Sequence, residues 1–233
     1  MKQNRMKYVS ERDEKSQIVP GHKYLYDWVM SNVKKGETLD IGCWNGHLEL
    51  LFKDSQHHIT GIDLEEEPLR FARKKFKKYS FIQADISKPL SFKSKSFNTV
   101  LYFMVLEHIP KGTELQSLKN INKVLKKNGL LFMNTMNDTF LSNLLDPAYI
   151  FGHRHYSEKR LRSFLKKAGF EIKEIHYNAG FYTTLHIFLL YFFKHILRRS
   201  EPRNAFLDRL MMRDYRNKGF AEIDILAKKV KDL

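Results

Sequence analysis

Cysteine is nearly absent from this chain of 233 residues: Cys43 stands alone. A single thiol excludes an intramolecular disulfide and suits a reducing compartment. The apolar run over residues 187–193 is far shorter than the ~20 residues that cross a bilayer. Residues 1–15 are charged and polar with no apolar segment, so a secretory signal is not expected. Internal repeats and low-complexity tracts are missing as well. Acids are in deficit, with 26 Asp and Glu against 41 Lys and Arg, a net charge of +15. That balance favours anionic surroundings such as membrane headgroups, nucleic acid or phosphorylated substrates, without choosing among them. Part of it lies in Arg73-Lys74-Lys75 and Lys126-Lys127, where a solvated helix face is the ordinary explanation.

What is present begins with apolar content of 42%, enough for a true core, at a length that fits one sizeable α/β domain or one domain with an insertion. The organising stretch is Thr38-Leu39-Asp40-Ile41-Gly42-Cys43-Trp44-Asn45-Gly46. It reads as an apolar strand, a glycine-bounded turn and a helix opening near Asn45. Such a layout gathers backbone N–H groups at one edge of a sheet, where a nucleotide-like ligand can sit. A second strand, His58-Ile59-Thr60-Gly61-Ile62-Asp63, ends in an acid able to take both hydroxyls of a ribose. A third acid, Asp85, closes Ser80-Phe81-Ile82-Gln83-Ala84. Acids at the carboxyl ends of three strands point to an adenosine-containing ligand.

In these blocks, together with Gln83-Ala84-Asp85-Ile86 and Phe97-Asn98-Thr99-Val100 running on to Val105-Leu106-Glu107-His108, the chain resembles the class I S-adenosylmethionine-dependent methyltransferases of the small-molecule and lipid-directed type. One position departs from the family pattern: Trp44 stands where a second glycine is frequent, so its indole must point away from the cofactor or cover it. Glycines at i and i+4 also miss the i, i+2, i+5 spacing of a dinucleotide site.

The remaining chain alternates helices and strands, as a doubly wound parallel sheet requires. Helices are expected over residues 24–30, from Gly46 towards Gln56, over 68–78, over 113–127 with Gly129 as a left-handed cap, and over 157–168 with Ser157 as N-cap and Gly169 as stop. Strands are expected at 98–103, 130–134, 170–175 and 221–227. The resemblance implies a Rossmann-like, mostly parallel sheet of seven strands whose last strand is antiparallel. The expected division is a polar arm over 1–19, a cofactor-binding core over 20–180, a basic and aromatic helical insertion over 181–219, and the final strand over 220–233. The insertion reads as a lid on its own core, a membrane-interface helix or a dimer contact.

The resemblance further implies roles for particular residues. Asp40, Gly42, Cys43 and Gly46 surround the amino-acid end of S-adenosylmethionine, with Cys43 a small packing residue rather than a nucleophile. Asp63 takes the ribose, and Asp85 and the Ile86 N–H meet the adenine, which Leu64 and Ile86 sandwich. Phe103 and Met104 line the methionine arm. A hydroxyl acceptor needs a base, for which His108 and then His155 are the candidates; His153 also faces the cleft, and each histidine has a structural alternative. Tyr102-Phe103-Met104-Val105 lacks the acid or Asn, paired prolines and aromatic of base-amino methylases, so specific nucleic acid is not an expected partner. No metal site is read from the sequence. The first reading is O-methylation, yielding S-adenosylhomocysteine, of a small lipid-linked or quinone-like acceptor by a cytoplasmic protein at an anionic membrane face. The alternatives are a saccharide or other soluble acceptor, and a non-catalytic module that binds membrane or nucleic acid.

Overall fold

The computed structural model describes residues 20–33, 35–52, 55–150, 152–199 and 205–233. The arm expected over 1–19 lies outside them. In chain order the elements are α1 (Pro20–Asn32), β1 (Lys35–Ile41), β2 (Gln56–Asp63), α2 (Glu66–Lys75), β3 (Ser80–Gln83), β4 (Phe97–Phe103), α3 (Glu114–Val124), β5 (Leu125–Met136), α4 (Phe140–Leu145), α5 (Pro147–Ile150), α6 (Glu158–Lys167), β6 (Phe170–Asn178), α7 (Phe181–His195), α8 (Ala205–Arg216) and β7 (Glu222–Lys229). One seven-stranded sheet runs β3-β2-β1-β4-β5-β7-β6. Strands β1 to β5 pair in parallel, and β7 inserts antiparallel to both β5 and β6.

The apolar strands are buried because both sheet faces are covered. Leu39, Ile41, Val100, Tyr102, Leu131 and Met133 pack with α3 and α6 through Leu118, Ile121, Leu161 and Leu165. Their alternate neighbours Leu101, Phe132 and Leu226 pack with α1 and α2 through Leu25, Trp28, Val29, Leu69 and Ala72. This period of two assigns each strand residue to one layer. It leaves the carboxyl ends of β1, β2 and β4 side by side, with Asp40 opposite Gly61 and Leu101.

Three local expectations are corrected. The first crossover is no helix opening at Asn45 but turns around a short 3₁₀ segment, Leu48–Leu50. Helix α3 stops at Val124, and the left-handed residue beyond it is Asn128 (φ 63°) rather than Gly129. Gly129 is needed for space instead, since a Cβ there would lie 2.9 Å from both the Lys126 carbonyl and Leu125 Cδ2. Ser157 occupies the N-cap of α6 without a side-chain capping bond. Gly169 does stop that helix in the left-handed region, at φ 77°. Residues 181–219 carry two helices, of which α8 packs against α1 and α7. Among the described residues no helix is long and apolar enough to cross a membrane.

Gly61 in β2 tests how tightly the first βα unit is packed. An added Cβ would meet Cys43 Sγ at 2.7 Å and Phe81 Cδ1 at 2.8 Å. Gly61→Ala is therefore expected to cost about 1–3 kcal/mol, the range for an overfilled core. Urea unfolding would show it as a lower midpoint with an unchanged slope.

Candidate active site

The turn after β1 uses three left-handed residues in five positions: Gly42 (φ 79°), Trp44 (φ 50°) and Gly46 (φ 82°). Gly42 and Cys43 N–H both donate to the Ile62 carbonyl, at 2.7 and 3.1 Å, and Gly46 N–H returns to the Cys43 carbonyl at 2.9 Å. A Cβ on Gly42 would lie 2.4 Å from Val105 Cγ2, so the turn closes against the segment after β4. Trp44 thus holds a left-handed conformation that a glycine adopts freely. Its N–H donates to Asp63 Oδ2 at 2.9 Å, while Asp63 Oδ1 accepts from Glu65 N–H at 2.9 Å. Cys43 is buried, and its sulfur lies where a Gly61 Cβ would be.

Beneath this turn Asp40 is 4% exposed and Glu49 is fully buried. Burial, helped by the Asp63 charge, outweighs a lowering side-chain hydrogen bond with Glu49 and pushes Asp40 up to about 7. Burial and the Asp40 charge hold Glu49 well above its ordinary value. The buried Asn45 Oδ1 lacks a hydrogen-bond partner, and the Glu49 carboxyl has only the neighbouring Asp40 carboxyl, another acid, to interact with. Unsatisfied buried acceptors are costly, and a cationic ligand with N–H donors would relieve them. The residues present therefore fit the ammonium and sulfonium charges of S-adenosylmethionine.

Further along the sheet edge, Asp85 Oδ1 accepts from Ser87 N–H at 2.9 Å and Ser87 Oγ at 2.6 Å. The Ser87 hydroxyl bond is the largest cause holding Asp85 below the ordinary range. Leu64 is 65% exposed and free to cover a flat ring. Ile86 differs from expectation: its side chain is buried in the core, so it forms no face of a base sandwich. Phe103 is half-buried 6.5 Å from the Trp28 ring, and Met104 follows at φ 53°, another left-handed non-glycine residue at the cleft edge.

The segment after β4 is fastened from the far side of the chain. Arg154 donates to the carbonyls of Leu106 (2.9 Å), Glu107 (3.4 Å) and Ile109, and pairs with Glu114 at 3.3 Å. Tyr156 Oη also reaches the Leu106 carbonyl, at 3.1 Å. These bonds bring His108 and His153 together, Nε2 to Nε2, at 3.4 Å. Asp146 Oδ2 lies 2.9 Å from both His153 Nδ1 and His155 Nε2. Those two bonds outweigh burial and hold Asp146 well below the ordinary carboxylate range. His155 is engaged at both ring nitrogens, the second with Asn143 Oδ1 at 2.7 Å, so neither faces an acceptor. His108 instead lines an open cavity of ≈ 540 Å³ with His153, Tyr149 and Arg160.

Sequence reading passes over Glu49, Asp146 and Arg154. Glu49 had one available signal, an acid interrupting Leu48-Glu49-Leu50-Leu51-Phe52. Asp146 and Arg154 join the site through contacts distant in sequence. A further acidic pair lies under α1 on β7. Glu222 and Asp224 are both bonded by Asn134 Nδ2, Asp224 also by Asn178, and Glu222 by Tyr215 Oη at 3.2 Å.

Known proteins resemble this chain in sequence and in fold. Residues 39–133 match the methyltransferase domain family. The ubiquinone biosynthesis O-methyltransferase of Actinobacillus pleuropneumoniae serotype 7 (strain AP76) is 27% identical over 117 residues, covering 47% of this chain and 49% of the relative. The chain spans about half the length of the curated relatives it matches. Among solved structures, a SAM-dependent methyltransferase from Thermotoga maritima superposes with a TM-score of 0.64 at 18% identity, over 96% of each chain. The [4+2]-cyclase SpnF superposes with a TM-score of 0.63 at 20% identity, over 88% of this chain and 80% of that one. At these identities the structures share a fold, and SpnF carries a different reaction in its name.

The β7 acids give a stability test. Burial, then the Glu222 charge, pushes Asp224 up to about 7, against about 4 for an unfolded aspartate. Between those values the folded chain holds a proton that the unfolded chain has lost, so this contribution falls as pH rises from about 4 to 7 and is flat above. Melting temperatures from pH 5 to 8 are expected to show the parent protein losing stability relative to Asp224→Asn, with the difference levelling off above pH 7.

Proposed function

Membership of the class I S-adenosylmethionine-dependent methyltransferases, carried by residues 39–133 and the sheet order, is the premise from which we propose that this chain methylates an oxygen on a small, lipid-linked or quinone-like acceptor. The observation that carries the oxygen assignment is His108, set beyond β4 at the mouth of the ≈ 540 Å³ cavity. The O-methyltransferase name of the relative supports the same reading.

S-adenosylmethionine supplies an activated methyl group, so the chain's own task is to hold and align two partners and to exclude water. Asp40, Glu49 and the Gly42–Gly46 backbone hold the cationic amino-acid end. Asp63 exchanges its bond from Trp44 N–H for the ribose hydroxyls. Asp85 and the Ile86 N–H meet the adenine edge, with Leu64 over one face. Phe103 and Met104 line the methionine arm, and Cys43 packs behind the turn. An acceptor hydroxyl must shed its proton to attack, and His108 is the residue that meets it.

A separate observation favours a lipid-linked acceptor. On α7, Phe181, Leu185, Phe188 and Phe192 recur at helical spacing and are 60%, 37%, 54% and 40% exposed. Phe140 and Leu144 of the neighbouring α4 are exposed at 78% and 65%. Arg198 and Arg199 follow the helix on an exposed segment. An apolar helix face beside arginines, on a chain of net charge +15, matches an anionic membrane surface. The protein would then be cytoplasmic and rest on headgroups through α7. A soluble saccharide acceptor has no use for this stripe.

Methyl transfer to hydroxylated aromatic acceptors, followed as S-adenosylhomocysteine release, tests the first proposal. His108→Ala is expected to lower turnover about 10²–10⁴-fold with cofactor affinity unchanged; unaltered turnover removes His108 from the chemistry. For the second, the protein should sediment with phosphatidylglycerol vesicles and less with phosphatidylcholine, and Phe188→Asp with Phe192→Asp should abolish it. Retained sedimentation in that variant removes α7 as the contact.

A further inference from the structure

The His108–His153 contact is an unusual one. His153 presents Nδ1 to the Asp146 carboxylate at 2.9 Å, and that carboxylate also takes His155 and the Ala148 N–H. An ionised acid accepts, so His153 carries its proton on Nδ1 and turns a lone pair on Nε2 outward. That lone pair faces Nε2 of His108 at 3.4 Å. The separation is long for a hydrogen bond from nitrogen, which falls at about 2.7–3.2 Å. It matches two imidazole nitrogens on one tetrahedral cation: bond lengths of about 2.0–2.1 Å place them about 3.3–3.4 Å apart.

A third donor is in place. Glu107 is 3% exposed, and its Oε2 accepts from Thr135 Oγ1 at 2.8 Å. Its Oε1 is buried with no hydrogen-bond partner. One ligand atom each from Glu107, His108 and His153 lies within 4.8 Å of the others. The nearby Arg154 is committed to Glu114 and to main-chain carbonyls. The cavity lined by His108 and His153 opens beside the three donors and gives an entry path.

We propose that Glu107, His108 and His153 bind one divalent first-row cation of the zinc type, with Asp146 as a positioning residue behind His153. Two imidazoles and one carboxylate suit zinc or iron(II), whereas magnesium and calcium prefer all-oxygen sites. Asp146 supplies the outer hydrogen bond that fixes ring orientation and tautomer in histidine-bound metals. Three protein ligands leave coordination positions that face the cavity. If the oxygen-acceptor reading holds, that is where an acceptor hydroxyl would bind and become more acidic, and His108 would then assist as a ligand of the cation rather than by taking the proton itself, because ligation occupies its Nε2 lone pair. The cation site itself does not depend on that reading. Sequence inspection finds no such motif because the ligands come from two segments whose histidines are 45 residues apart.

The test is titration of chelator-treated, untagged full chain with Co²⁺. One equivalent should bind with visible ligand-field absorption, be displaced by Zn²⁺ and be indifferent to Mg²⁺. His108 is exposed, so His108→Ala should keep the fold by circular dichroism while lowering affinity at least 100-fold. Glu107→Gln should weaken binding, and Asp146→Asn should weaken it about 10–100-fold, the usual effect of removing an outer-layer partner. His58→Ala, altering an exposed histidine on β2, should leave the spectrum intact. No stoichiometric absorption, or a spectrum that survives both His108→Ala and His153→Gln, overturns the proposal and makes the contact a long hydrogen bond between neutral rings. S-adenosylmethionine binding to the chelator-treated protein is measured in parallel. Its retention shows that a failed cobalt titration concerns the cation alone, and its loss concerns the methyltransferase reading.

Discussion

Acids crowded at one sheet edge, with no cation paired to them among the described residues, are the constraint around which this structure is arranged. Asp40 and Glu49 are buried beneath the turn after β1, and Asp63 ends the adjacent strand. The sheet imposes the crowding, since β1 and β2 pair in parallel register and end together. The turn holds it, because the Ile62 carbonyl receives two successive N–H groups and Asp63 receives a third from Trp44. Desolvation then disfavours the charged forms, which is why Asp40 and Glu49 sit above their ordinary values. A site of this kind is costly to the free protein and selective for positive charge. S-adenosylmethionine carries positive charge at both its ammonium and its sulfonium.

The same turn sets the second half of the cleft. Gly42 leaves room for Val105, so the residues after β4 can approach the cofactor side. From there to Ile109, main-chain carbonyls are gripped by Arg154 and Tyr156, and Met104 takes a left-handed conformation beside them. Rigid support on one side and an open cavity on the other is the arrangement a positioned reacting group requires. Trp44 and Met104 are two of the six non-glycine residues at positive φ among the described residues, and both sit at these contacts with the cleft.

Much of this was legible before any coordinates. Strands such as Leu39-Asp40-Ile41 and Val100-Leu101-Tyr102 are apolar or nearly so because they are covered on both faces, and burial is what sequence patterns record best. The acids after them were legible because strand ends are marked by abrupt polarity. The misread parts have specific causes. Leu48, Leu51 and Phe52 keep helical spacing, yet the segment closes as a 3₁₀ turn so that Phe52 can reach the core. Asn128 takes the left-handed position because its neighbour Gly129 is consumed by close packing. Ile86 is turned inward by the core. His155 resembled a base until Asp146 and Asn143 were seen to occupy both its nitrogens, and nothing near His155 in sequence reveals either partner's distance.

Isothermal calorimetry of S-adenosylmethionine across pH 6 to 8.5 tests the central claim most directly. Asp40 is held up to about 7 in the free cleft, so a cation must drive its ionisation, and affinity should rise with pH to a plateau above about pH 8. Proton release should accompany binding on the acid side, and Glu49→Gln should reduce both the release and the slope. Tight binding with no pH dependence and no proton release would contradict an electrostatic grip by buried acids. Absence of binding at any pH would contradict the cleft altogether.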